Sequence, residues 1–183
     1  MKNVRLPVTV TVGGTEYPIN KNGDYEVILD ILEVLEDEEL TDAERAGTAL
    51  SIFYDFHIPE DAQEAIDAMM VFINCGEEIK EKPNEKAPLM NWNKDFPMLV
   101  APINKVIGYD VRSVPYVHWW TLVAAYMEID GECSFSSVVN IRRKRRDGEK
   151  LDKAEQRYYE ENREKIDAVS GLSKQDMELL DDF

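Results

Sequence analysis

Residues 113–129 read SVPYVHWWTLVAAYMEI, and this stretch decides how the rest of the chain is read. From Val114 to Ile129 only His118, Thr121 and Glu128 interrupt the apolar residues. A helix that is apolar on nearly every side packs inside a protein rather than on its surface. The stretch therefore predicts a central, buried helix, capped by Ser113 and ended by Asp130-Gly131-Glu132. It is shorter and more polar than a membrane span of about 20 residues, so a soluble protein is expected.

Helices are expected on both sides of it. Toward the N-terminus, Asp95, Phe96, Met98, Leu99, Ile103, Val106 and Ile107 suggest a helix closed by Gly108. Pro97 would lie in its first turn and Pro102 would kink it. Residues 77–90 are charged and punctuated by Pro83 and Pro88, the composition of a linker. It would separate an N-terminal region, 1–76, from a C-terminal helical region, 91–183. Within the first region, Ala62, Ala65, Ile66, Met69, Met70 and Ile73 form an apolar stripe ended by Gly76, with Pro59 in the first turn of that helix. Thr41-Asp42-Ala43-Glu44 has the spacing of a capping box and opens a helix to about Asp55. Val27, Ile28, Ile31, Leu32 and Leu35 mark a helix from about Asp24 to Glu36. Val8–Val12 and Thr15–Ile19 alternate around Gly13-Gly14, the signature of a β-hairpin.

Toward the C-terminus, Phe135, Val138, Val139 and Ile141 begin a helix that turns abruptly basic, and Glu149 to Ala168 reads as a charged, solvated helix. In the tail, Met177, Leu180 and Phe183 fall three apart after Ser173, the spacing of a short helical docking peptide. The same spacing suits a tail that packs on its own domain or frays. The fold class is therefore mainly α, a multi-helix protein with a small N-terminal β-hairpin.

The formal charge of the 183 residues is −16, which repels polyanions. Charge is uneven: residues 1–60 hold 4 Lys/Arg against 13 Asp/Glu, and residues 140–153 hold 7 against 3. The basic band Arg142, Arg143, Lys144, Arg145 and Arg146 suits self-association or docking onto an acidic partner. Direct nucleic-acid binding is disfavoured, because no aromatic residue interleaves the run and acidic residues follow closely. The N-terminus does not open on an apolar leader, and Cys75 and Cys133 lack CxxC spacing, so a reducing cytosol is expected with both thiols as small buried hydrophobes.

The chemistry of catalysis is thinly represented. Only His57 and His118 are present. A capping or dipole role is favoured for His57, and a hydrogen-bonded core role for His118, over ligation. Asn20, Asn22 and Asp24 have the alternate spacing of a calcium loop, but Tyr25 and Ile31 stand where Gly and Glu are needed. No phosphate loop, HExxH, GxSxG or zinc spacing occurs. No enzyme activity, cofactor or metal is expected. The methionines Met69, Met70, Met90, Met98 and Met127 would be adaptable groove liners if exposed, and plain core otherwise.

Three motifs carry a resemblance. They are Ile103-Asn104-Lys105-Val106-Ile107-Gly108, then His118-Trp119-Trp120, then Phe135-Ser136-Ser137-Val138-Val139-Asn140-Ile141-Arg142 with the basic run and charged helix behind it. Through them Trp92 to Glu164 resembles the phage gp-fifteen family, small structural proteins of tailed phages and prophages of Gram-positive bacteria. Such proteins are similar to tail-assembly chaperones. The resemblance implies a host-cytoplasmic factor that binds the tape-measure protein and recruits tail-tube subunits; it carries over no catalytic residue. The alternatives are a permanent tail completion or connector protein and a nucleic-acid-binding regulator. The candidate partner-binding residues are Arg142 to Arg146 together with Met177, Leu180 and Phe183.

Overall fold

Gly13 and Gly14, at φ 58° and 78°, supply both positive-φ positions of a tight hairpin turn. They let β1 (Thr9–Val12) pair antiparallel with β2 (Thr15–Pro18) in the register Thr9↔Pro18, Val10↔Tyr17, Thr11↔Glu16 and Val12↔Thr15. The computed structural model describes residues 5–77 and 88–169. Most of the expected linker, 78–87, and the docking peptide with Met177, Leu180 and Phe183 lie outside those residues. Seven α-helices follow the hairpin among the described residues: α1 (Tyr25–Glu36), α2 (Asp42–Phe53), α3 (Ala62–Ile73), α4 (Trp92–Ile107), α5 (Trp119–Met127), α6 (Ser134–Arg146) and α7 (Lys153–Asp167). The protein is mainly helical with an N-terminal hairpin, as the sequence predicts.

These residues fall into two units, one of 5–77 with 107–128, the other of 88–106 with 129–169. In the first, helix starts are set by side-chain caps that satisfy orphan backbone donors. The Asp24 carboxylate accepts from Glu26 N at 3.0 Å, Thr41 and Glu44 form a reciprocal capping box, and Asp61 accepts from Glu64 N at 3.0 Å. The apolar stripes then converge: Ile28 and Ile31, Leu50 and Phe53, Met69 and Phe72, and Trp119 and Leu122 are all buried. Each such side chain contributes roughly 1.5–3 kcal/mol by leaving water. Phe53 meets Tyr54 and Phe72 edge-on at 4.9 and 5.6 Å. The Tyr54 hydroxyl donates to the Ala65 carbonyl at 2.9 Å, and burial pushes its pKa up to about 12. In the second unit, Val138, Ile141, Tyr159 and Ile166 form a core cluster against which Met98, Leu151 and Tyr158 pack.

Several boundaries differ from the sequence reading, each for a local reason. The helix expected from Val114 begins at Trp119. Pro115 forces the preceding Val114 to extended backbone, at φ −112° and ψ 149°, and Ser113 instead donates to the Asp110 carbonyl at 2.7 Å. Nor is α5 buried on every side: Trp119, Leu122 and Ala125 face inward, whereas Met127 is 75% exposed. Pro59 precedes the Asp61 cap of α3 rather than lying in its first turn. Helix α4 starts at Trp92, because Asn91 Oδ1 accepts from Lys94 N at 2.8 Å, which places both Pro97 and Pro102 inside it. Helix α7 waits until Lys153, where Asp152 and Glu155 make a second capping box. Cys75 and Cys133 are half-buried rather than core residues.

Candidate protein-interaction surface

The basic run forms the end of α6, and its members meet different fates. Arg142 is 4% exposed. Its Nη1 and Nη2 donate to Asp95 Oδ2 and Oδ1 at 2.7 and 3.0 Å, and Nη1 also reaches the Leu89 carbonyl at 3.2 Å. Nε donates to the Ile166 carbonyl at 2.8 Å and Nη2 to that of Lys165. The rigid fork of a guanidinium suits this, since one planar group satisfies a carboxylate and the orphan carbonyls at the C-terminal end of α7 together. Arg142 thus holds the second unit together and does not reach the surface.

The remaining four are half-buried. Arg143 Nη1 is 2.6 Å from Glu149, whose hydrogen bond and charge raise the guanidinium pKa further. Lys144 Nζ sits 2.7 Å from both Glu155 oxygens, and this contact, followed by the Asp152 backbone, holds the Glu155 carboxyl below the ordinary carboxylate value. Arg145 stacks 4.2 Å over the Tyr159 ring, and Arg146 Nε is 3.3 Å from Asp147. These partners all belong to the same unit as the run, and paired cations attract a distant polyanion less than bare ones do.

His118-Trp119-Trp120 is a structural joint of the first unit. The His118 side chain is 2% exposed; Nε2 lies 2.9 Å from the Pro7 carbonyl, and Nδ1 accepts the Trp120 backbone N–H at 3.0 Å. Accepting at Nδ1 requires the neutral ring with its proton on Nε2. Burial accordingly lowers the pKa, against the opposing pull of the Pro7 carbonyl and Asp24. The two indoles donate to consecutive carbonyls near the end of α3, Trp120 to Phe72 and Trp119 to Ile73, both at 2.8 Å. Trp119 N donates to the Gly23 carbonyl at 2.8 Å and Val117 N to Asp24 Oδ2 at 3.0 Å, so the same segment fixes the start of α1. His118 is a hydrogen-bonded core residue, as expected, and it also caps α5, a role expected of Ser113.

The surface that sequence reasoning missed is the corner after α2. Phe56 is 81% exposed and Ile58 41%, on a backbone where Asp55 and Phe56 have φ 48° and 63°. His57, expected to act at a helix end, is exposed there with Nδ1 2.8 Å from the Asp55 carbonyl. One signal was available in the sequence: no Lys or Arg stands between Arg45 and Lys80. Of the methionines, Met69 is core, Met70, Met90 and Met98 are half-buried, and Met127 is exposed.

Among the described residues, no group of three or more His, Cys, Asp and Glu side chains is placed to hold a metal, and no helix is long and apolar enough to cross a membrane. No curated protein and no solved structure matches the chain. The family model described as Bacteriophage Gp15 protein matches residues 3–167, nearly the whole sequence that carries the hairpin, the His-Trp-Trp joint and the Arg142 knot. The chain therefore belongs to the bacteriophage Gp15 family, whose members are phage structural or assembly-related proteins.

Proposed function

We propose that this chain is a tail-assembly chaperone, which binds the tape-measure protein in the host cytoplasm and aids assembly of the tail tube around it. Family membership supports a role in phage structure or assembly. The observation that carries the finer reading is the segregation of charge. In the first unit, 19 Asp/Glu stand against 4 Lys/Arg, a net of −15; in the second, 11 stand against 12, a net of +1. A unit this acidic keeps a complex with an aggregation-prone partner in solution, and its attraction to cationic segments is screened by salt and so is reversible. Binding of this kind needs no reactive group.

Co-expression with the tape-measure protein tests the reading. The expected result is a soluble complex that co-purifies and is absent from purified virions. Aggregated tape measure with no co-purification would overturn it, and stoichiometric recovery of the chain from virions would assign it to the particle instead.

A further inference from the structure

We infer that the corner Asp55–Ile58 is the apolar anchor by which the first unit grips a basic amphipathic helix of its partner. This deepens the tail-assembly reading and rests on it only for the partner's identity. Helix α2 ends at Phe53, and the chain turns through two successive left-handed residues, neither of them glycine. Bulky side chains rarely adopt that conformation, and where they do the surrounding structure must hold them in it. Here main-chain bonds do so: Phe56 N donates to Ser51 O and His57 N to Tyr54 O, both at 2.9 Å. The residues that bracket the corner, Tyr54 and Pro59, are buried, while Phe56 between them is turned out into water. An Asn or Gly would meet the backbone demand with no apolar exposure. The packing of the unit gives no reason for a phenylalanine there, and aromatic residues, Phe among them, are enriched at the cores of protein interfaces.

The chemistry of the occupant follows from the rim. Asp55, Glu60, Asp61 and Glu64 are exposed on and just beyond the corner, within the stretch that lacks any Lys or Arg. An apolar ridge for Phe56 and Ile58, flanked by Lys or Arg, complements both features. Nucleic acid and anionic lipid meet the same negative field as a barrier.

The test uses two synthetic peptides of equal length and charge, an amphipathic Leu/Lys helix and its counterpart with every Leu replaced by Ser. The full chain should bind the first at least about tenfold more tightly, a difference of ~1.4 kcal/mol. Phe56→Asn with Ile58→Thr should abolish that preference while the variant still unfolds cooperatively, because Asn tolerates the left-handed backbone and only the covered part of Ile58 is lost from packing. Equal affinity of the unaltered chain for both peptides would overturn the proposal, as would a preference that survives the substitutions. Self-association lost in the variant, without peptide preference in the parent, would hand the corner to a second copy and equally overturn it. Co-expression separates the two readings. Peptide preference without tape-measure capture leaves the anchor standing and removes the chaperone role; capture that survives the substitutions does the reverse.

Discussion

Arg142 and Asp95 are 3% and 1% exposed at their side chains, 47 positions apart in sequence, and joined by two hydrogen bonds. Desolvating both charges offsets much of their attraction, so the pair is better understood through its loss than through its presence. Arg142→Met strands the Asp95 carboxylate in the core and should cost about 3–5 kcal/mol in urea unfolding. Adding Asp95→Leu should recover part of that loss, the rest remaining with the Leu89, Lys165 and Ile166 carbonyls and the Asn91 N–H that lose their partners; a double variant as unstable as the single one would contradict the assignment. His118 makes a separate, pH-dependent contribution. Its folded pKa is lowered from 6.5, so the unfolded chain takes up a proton that the native ring refuses. That contribution is complete above 6.5, declines as pH falls below it, and stops declining beneath the folded pKa. The melting-temperature gap between the parent chain and His118→Gln should therefore narrow between pH ~7 and ~5. A constant gap would contradict a buried neutral ring.

Among the elements, the first turns of α1 and α2 were legible because Asp24 and Thr41 are standard caps followed by clean apolar periods. Thr41→Ala should cost ~1 kcal/mol, read by urea denaturation. The start of α5 was not legible, because the apolar pattern runs unbroken across Pro115 while the actual cap is a histidine, a residue outside the usual capping set. The hairpin turn was legible in Gly13-Gly14, but the demand on Gly23 was not. A Cβ there would lie 2.5 Å from Phe72 Cζ and 3.3 Å from His118 Nε2, at φ 75°. Gly23→Ala should lower the melting temperature more than Thr41→Ala does, since it strains the backbone and forces an aromatic ring aside in the joint. An equal or smaller effect would show that the joint relaxes freely. The basic run was legible as charge, but the burial of Arg142 within it was not. Nothing local to Arg142 signals that its acceptors lie at residues 89, 95, 165 and 166.

At the scale of the molecule, charge is segregated among the described residues, −15 in one unit and +1 in the other. The band that the sequence offers as a docking surface is largely engaged with its own unit. The corner it offers as a mere helix end carries Phe56, which is more exposed than any other large hydrophobic among the described residues. Partner capture by the acidic unit should weaken as salt rises without vanishing, since screening removes the rim's attraction and leaves the apolar anchor. Hydrogen-exchange mass spectrometry of the chain, alone and co-purified with the tape-measure protein, reads the contact directly. The result expected is slowed exchange across residues 51–64 with Arg142–Arg146 unchanged. Protection confined to the basic run, or no protected segment at all, would contradict it.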